Sequence, residues 1–101
     1  MSMQQRHIGR KMRDSETAST AARVRLARRL NELLRIRGMT QRAASAQLGI
    51  PQPKISAIQN GRLHGISLER LMIALVRLDQ RVEIKVLTAG TRPRRRISVL
   101  P

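Results

Sequence analysis

The stretch GIPQPKISAIQNGR, residues 49 to 62, gathers the side chains of this chain best placed to do chemistry. Ile55 and Ile58 fall at helical spacing and turn toward a core, which leaves Pro53, Ser56, Ala57 and Asn60 outward and Gln52 and Lys54 at the N-terminal end. Gln52 can make a bidentate contact with adenine or bond a phosphate. Lys54 can reach guanine O6 and N7, and Ala57 can meet a thymine methyl. Beside them, Ser56 and Ala57 are small enough to permit close approach to base edges. Gln41 opens the preceding helix, whose N-terminal N–H groups favour an anion. Thr40, Arg42, Asn60 and Arg62 are further phosphate candidates, which would set register rather than sequence. The expected site is a duplex DNA interface, with base readers Gln52, Pro53, Lys54, Ser56 and Ala57 framed by phosphate contacts.

Other chemistry finds little support. His7 and His64 are isolated and there is no cysteine, so neither a metal site nor a disulfide is expected. No carboxylate pair, Ser–His grouping or glycine-rich phosphate loop forms a catalytic constellation, and no cofactor is implied. The chain carries 21 Lys+Arg against 6 Asp+Glu, a formal net charge of +15, and all but Lys11, Lys54 and Lys85 of the basic residues are arginines. Such a charge attracts a polyanion, nucleic acid first. Phe, Trp and Tyr are absent, which argues against single-strand or RNA recognition by base stacking and so favours duplex DNA.

The elements that must hold this site follow from periodicity. A length of 101 residues allows one small domain with an aliphatic core. Residues 1 to 18 are polar and basic and read as a mobile arm. STAARVRLARRLNELLRIRG predicts a helix with Leu26, Ala27, Leu30, Leu33, Leu34 and Arg37 on one stripe, capped by Ser19 or Thr20 and closed by Gly38. Its arginines Arg23, Arg25, Arg28, Arg29 and Arg35 are expected to form a solvated face. TQRAASAQLG predicts a short helix capped by Thr40, with Ala43, Ala44 and Leu48 inward and Gly49 at its end. Pro53 biases Gln52 out of the helical region, so Gln52 is expected as the next cap and Pro53 as the first helical residue.

ISLERLMIALVRLD predicts a last helix, capped by Ser67, with Leu68, Leu71, Met72, Leu75 and Leu78 inward. Ile73 and Val76 fall off that stripe and suggest a second buried surface, such as a subunit contact. Val82, Ile84 and Val86 then alternate with Glu83 and Lys85, which predicts a strand over residues 80 to 88. A lone strand leaves its ladder unpaired, so this one is expected to pair across a dimer or with residues 96 to 100. Residues 89 to 101 contain the run RPRRR and read as a basic tail that adds non-specific DNA affinity. No window is long and apolar enough to span a membrane, and the N-terminus lacks a secretory h-region, so a cytoplasmic location is expected.

TQRAASAQLGIPQPKISAIQNGR, residues 40 to 62, resembles the Xre/Cro-type helix-turn-helix of phage repressors and bacterial regulators. The family pattern is Thr-Gln, a small residue, Leu-Gly, an aliphatic, a polar pair, an aliphatic-Ser and Asn-Gly. Including the flanking helices, the likeness extends roughly from residue 21 to 78. It departs from the pattern at Pro51 and Pro53, and at Ala57, where many relatives carry a polar reader. The resemblance implies a mainly α, lambda-repressor-like domain of four to five helices over residues 19 to 79, followed by the strand. It also implies DNA contact by Gln41, Gln52 and Lys54. The continuation ISLERLMIALVRLDQRVEIKV resembles a subset that includes HigA-like antitoxins. On that likeness the expected protein is a homodimeric repressor on an inverted-repeat operator, autoregulating its own operon and binding a small RelE/HigB-like toxin. Alternatives are a stand-alone or phage-type repressor and, in another class, a basic protein-interaction module or a non-specific nucleic-acid binder.

Overall fold

Strong helix formers account for most of what the chain builds. The structure, a computed structural model, describes residues 3–88, with side chains from residue 17 onward. Its helices are α1 (Met3–Ile36), α2 (Gln41–Leu48), α3 (Gln52–Gln59) and α4 (Leu68–Arg77). α1 runs for 34 residues and begins well before Ser19, so the stretch expected as an arm over residues 1 to 18 is helical from Met3. The physical reason lies in its composition. Gln, Arg, Lys, Met, Glu and Ala dominate residues 3 to 18 without a proline, and helix propagates cheaply from a turn already formed.

α1 packs mainly along α4 and touches α3, while α2 packs on α3 and α4. The shared core contains Leu26, Leu30 and Leu34 from α1, Leu48 and Ile50 from around the first turn, Ile55 and Ile58 from α3, and Leu71, Leu75 and Leu78 from α4 and its end. Full burial of each such side chain contributes roughly 1.5–3 kcal/mol. Ile66, in the loop before α4, is also 2% exposed. Ala44 is buried as its spacing predicts, but Ala43 is exposed, about a quarter-turn away around α2. It is one residue too early for the stripe that Ala44 and Leu48 define.

Polar side chains close the ends of these helices. Arg37 Nη2 donates to the Leu78 carbonyl at 2.6 Å, and Arg77 Nη1 donates to the Leu48 carbonyl at 2.6 Å. Asn31 Nδ2 donates to the Ile58 carbonyl at 3.0 Å. Arg23 Nη1 bridges the Leu63 and Ile66 carbonyls, each at 3.2 Å, and its Nη2 meets Thr20 Oγ1 at 3.1 Å. The last carbonyls of a helix have no partner within it, and a charged donor to such a group contributes about 1.5–3 kcal/mol. Arg23 was expected on a solvated face; it is instead partly buried and holds the α3–α4 loop. Arg29 does stay exposed, paired with Glu32 at 3.1 Å.

Beyond α4 the chain turns at Asp79, with φ 64, and continues without regular secondary structure. No strand occurs among the described residues, so the segment expected as a strand over 80 to 88 forms no ladder within them. A ladder needs a second strand, and residues 96 to 100 lie outside the described region. Val82 packs against the domain's own core, whereas Ile84 and Val86 are 69% and 92% exposed. On α4, Ile73 and Val76 are likewise exposed, at 46% and 55%. No helix among the described residues is long and apolar enough to cross a membrane.

Candidate nucleic-acid interface

The turn between α2 and α3 sets the geometry of the site. Thr40 caps α2, its Oγ1 accepting the Ala43 N–H at 3.0 Å. α2 ends at Gly49, whose N–H donates to the Ser45 carbonyl at 3.0 Å and whose φ of +65° turns the chain out of the helix. Left-handed backbone of this kind favours glycine, because any Cβ crowds the following carbonyl. A Cβ at Gly49 would also fall 2.6 Å from Arg77 Nη1, the group that holds the Leu48 carbonyl. Ser45 Oγ donates to the Ile50 carbonyl at 2.6 Å, and the Ile50 side chain fills the space beneath. The turn is therefore fixed from both of its flanks.

α3 starts one residue earlier than its prolines suggest. Pro51, with ψ 140, is the cap, and its carbonyl accepts the N–H groups of Lys54 and Ile55 at 2.9 and 3.1 Å. Gln52 is thus the first helical residue, not the cap, and Pro53 the second. Neither proline removes a hydrogen bond, since the first N–H groups of a helix lack an internal acceptor anyway. Tertiary anchoring overrides the bias that Pro53 places on Gln52: Ile50 on one side and Ile55 on the other are both buried.

Gln52, Pro53 and Lys54 stand exposed at the start of α3, with Ser56 and Ala57 half-buried behind them. The five expected base readers therefore sit together on one short element, above the buried Ile55 and Ile58. At the far end, Asn60 Nδ2 donates to the Ser56 carbonyl at 2.8 Å, so one of its two amide hydrogens is committed to its own helix. The Arg62 N–H closes on the Ala57 carbonyl at 2.8 Å, past Gly61 at φ +74. Arg42, Lys54 and Arg62 are exposed and make no ion pair among the described residues. The residues expected at a subunit contact, Ile73, Val76, Val82, Ile84 and Val86, lie on α4 and the segment after it.

One contact had not been anticipated. Gln41 Nε2, at the start of α2, donates to Gln59 Oε1, in the last turn of α3, at 2.9 Å. Gln59 lies seven residues after Gln52 and three after Ser56, hence on the same face of α3. That spacing was legible, but the closeness of α2's start to α3's end depends on how the two helices cross.

Two short helices joined by a glycine turn, with the second presenting a polar face above an apolar one, define a helix-turn-helix protein. A family profile described as "Helix-turn-helix domain" matches residues 10–87, and the chain belongs to that family. It is 42% identical to a solved structure whose name assigns it provisionally to the XRE family of transcriptional regulators, with a TM-score of 0.77 over 85% of this chain and 98% of that one. This places it with the Xre-type members. No curated protein matches the sequence.

Proposed function

We propose that the chain is a DNA-binding transcriptional repressor that reads its operator through the N-terminal end of α3. The observation that carries this is the exposed row Gln52, Pro53 and Lys54 on a helix fixed by Gly49, Ile50 and Ile55. Phosphate contacts from Thr40, Gln41, Arg42, Asn60 and Arg62 would flank it on the two sides. In a binding assay on a duplex selected from a random-sequence library, Gln52→Ala or Lys54→Ala narrows the gap between selected and scrambled DNA, by about 1–3 kcal/mol for a base reader. Arg62→Ala instead weakens both duplexes alike and flattens the dependence on salt. Equal wild-type affinity for both duplexes across a salt series would leave only a non-specific binder.

The repressor is further proposed to act as a homodimer on an inverted repeat, with recognition helices roughly 34 Å apart in successive major grooves. The exposed Ile73 and Val76, with Ile84 and Val86 beyond the half-buried Val82, supply the apolar surface for that contact. Val76→Glu places a charge there and shifts the protein to monomer in sedimentation equilibrium, while its helical circular-dichroism signal is kept and its melting temperature loses its dependence on concentration. A wild-type chain that is monomeric at every concentration rules the contact out.

The HigA-like sequence of residues 66 to 86 supports a narrower reading, an antitoxin that represses its own operon and captures a small RelE/HigB-like toxin. Co-purification with the product of the adjoining reading frame, together with rescue of growth when both are expressed, tests it. Failure of both outcomes leaves the stand-alone repressor.

A further inference from the structure

We infer that Gln59 is a positioning residue for DNA binding, and that Gln41 and Gln59 act as one phosphate-binding unit. The inference rests on the repressor reading and adds a residue to it. Gln41 Nε2 donates to Gln59 Oε1 at 2.9 Å, across eighteen positions of sequence. The bond joins the start of one helix to the end of the next, with both side chains at the surface. An amide pair of this kind still has donors to give: the second hydrogen on Gln41 Nε2 and both hydrogens on Gln59 Nε2. All are N–H groups suited to a phosphate oxygen.

Position supports the same role. Gln52, Ser56 and Gln59 share one face of α3, and seven residues of helix separate the first from the last by about 10.5 Å. The major groove is about 12 Å wide. When Gln52 meets base edges, the pair at the other end of the face therefore falls near the groove's wall, where the phosphates run. Arg42 and Arg62, both exposed, flank the pair in sequence on α2 and beyond α3.

The bond also has a consequence for affinity. A free glutamine side chain loses rotamer freedom when it is fixed on DNA, and that loss weakens binding. Here Gln41 is already held before DNA arrives, by an acceptor on the element that enters the groove. The phosphate contact and the base-reading helix are thereby kept in register with each other. Without Gln59, Gln41 can still reach a phosphate but must be ordered during binding.

The test is a double-mutant cycle on the duplex selected from a random library, with melting temperatures measured in parallel. Gln41→Leu and Gln59→Leu are each expected to weaken binding about five- to tenfold, and the double variant no more than the weaker single. All three should melt within a few degrees of wild type, since Gln59 is exposed and Gln41 only half-buried. Gln59→Glu keeps the acceptor but sets a negative charge beside the phosphate. Its loss should exceed that of Gln59→Leu, and the excess should fade as salt rises.

An affinity within twofold of wild type for Gln59→Leu overturns the inference, as does a double variant whose loss is the product of the two singles. If Gln41→Leu is silent, there is no contact for Gln59 to position, and the inference falls as well. These outcomes leave the repressor reading standing. Failure of the wild-type chain to enrich any sequence removes that reading itself.

Discussion

Gly49→Ala lowers the melting temperature by roughly 10–40 °C, while Gly38→Ala lowers it by about 4–16 °C. Both glycines have positive φ, +65 and +62, so both substitutions carry the left-handed penalty of about 1–2 kcal/mol. They differ in surroundings. A Cβ at Gly38 meets nothing within 4 Å, whereas at Gly49 it falls 2.6 Å from Arg77 Nη1. The guanidinium is the end of a flexible side chain and can move, but moving it breaks the bond to the Leu48 carbonyl, worth about 1.5–3 kcal/mol. The total for Gly49→Ala is then about 2.5–5 kcal/mol. In an Arg77→Met background the excess should vanish and only the backbone cost remain. Thermal unfolding followed by circular dichroism reads all four chains, and equal losses at Gly38 and Gly49 would exclude the role given to Arg77.

Ile58→Ala is expected to cost about 2–5 kcal/mol in urea unfolding, and Ile58→Val about 0.5–1.5. Ile58 is 1% exposed and belongs to the cluster that joins α1, α3 and α4. α3 is only eight residues long, too short to persist as an isolated helix in water. Its order therefore depends on what Ile55 and Ile58 gain by burial. Against a total of roughly 5–15 kcal/mol for a small domain, losing either removes a large fraction. DNA affinity should fall with it even though Ile58 touches no base. A loss below about 0.5 kcal/mol for Ile58→Ala would mean that α3 is not anchored through this residue.

Much of this architecture could be read from residue types. Thr40, Gly49 and Ser67 mark helix ends because each offers a local bond or a backbone freedom that neighbours lack, and the structure uses each in that way. The stripes of α1 and α4 are visible because leucine recurs at helical spacing. The start of α3 was harder, because two prolines one residue apart leave two possible caps and only tertiary packing selects Pro51. The N-terminal extent of α1 is not marked in the sequence, since residues 3 to 18 carry helix propensity without an apolar stripe. At the site, the grouping of Gln52 to Ala57 follows from one helical wheel. The Gln41–Gln59 bond does not, because it joins two helices whose crossing no local pattern specifies. Arg23 is an intermediate case: Arg23, Ala27, Leu30, Leu34 and Arg37 lie on a single helical line, with an arginine at each end of the apolar run.

Those arginines have a wider consequence. Arg23, Arg37 and Arg77 hold the fold through backbone carbonyls, whereas the ion pairs Arg29–Glu32 and Arg81–Glu83 are exposed contacts of small energetic worth. A carboxylate partner would cancel the charge it binds; a carbonyl oxygen leaves the guanidinium a full cation. Folding with carbonyl acceptors thus consumes donors without discharging the molecule. A chain with 6 acidic residues can in this way knit its interior together and still present an undiminished positive field to a distant polyanion.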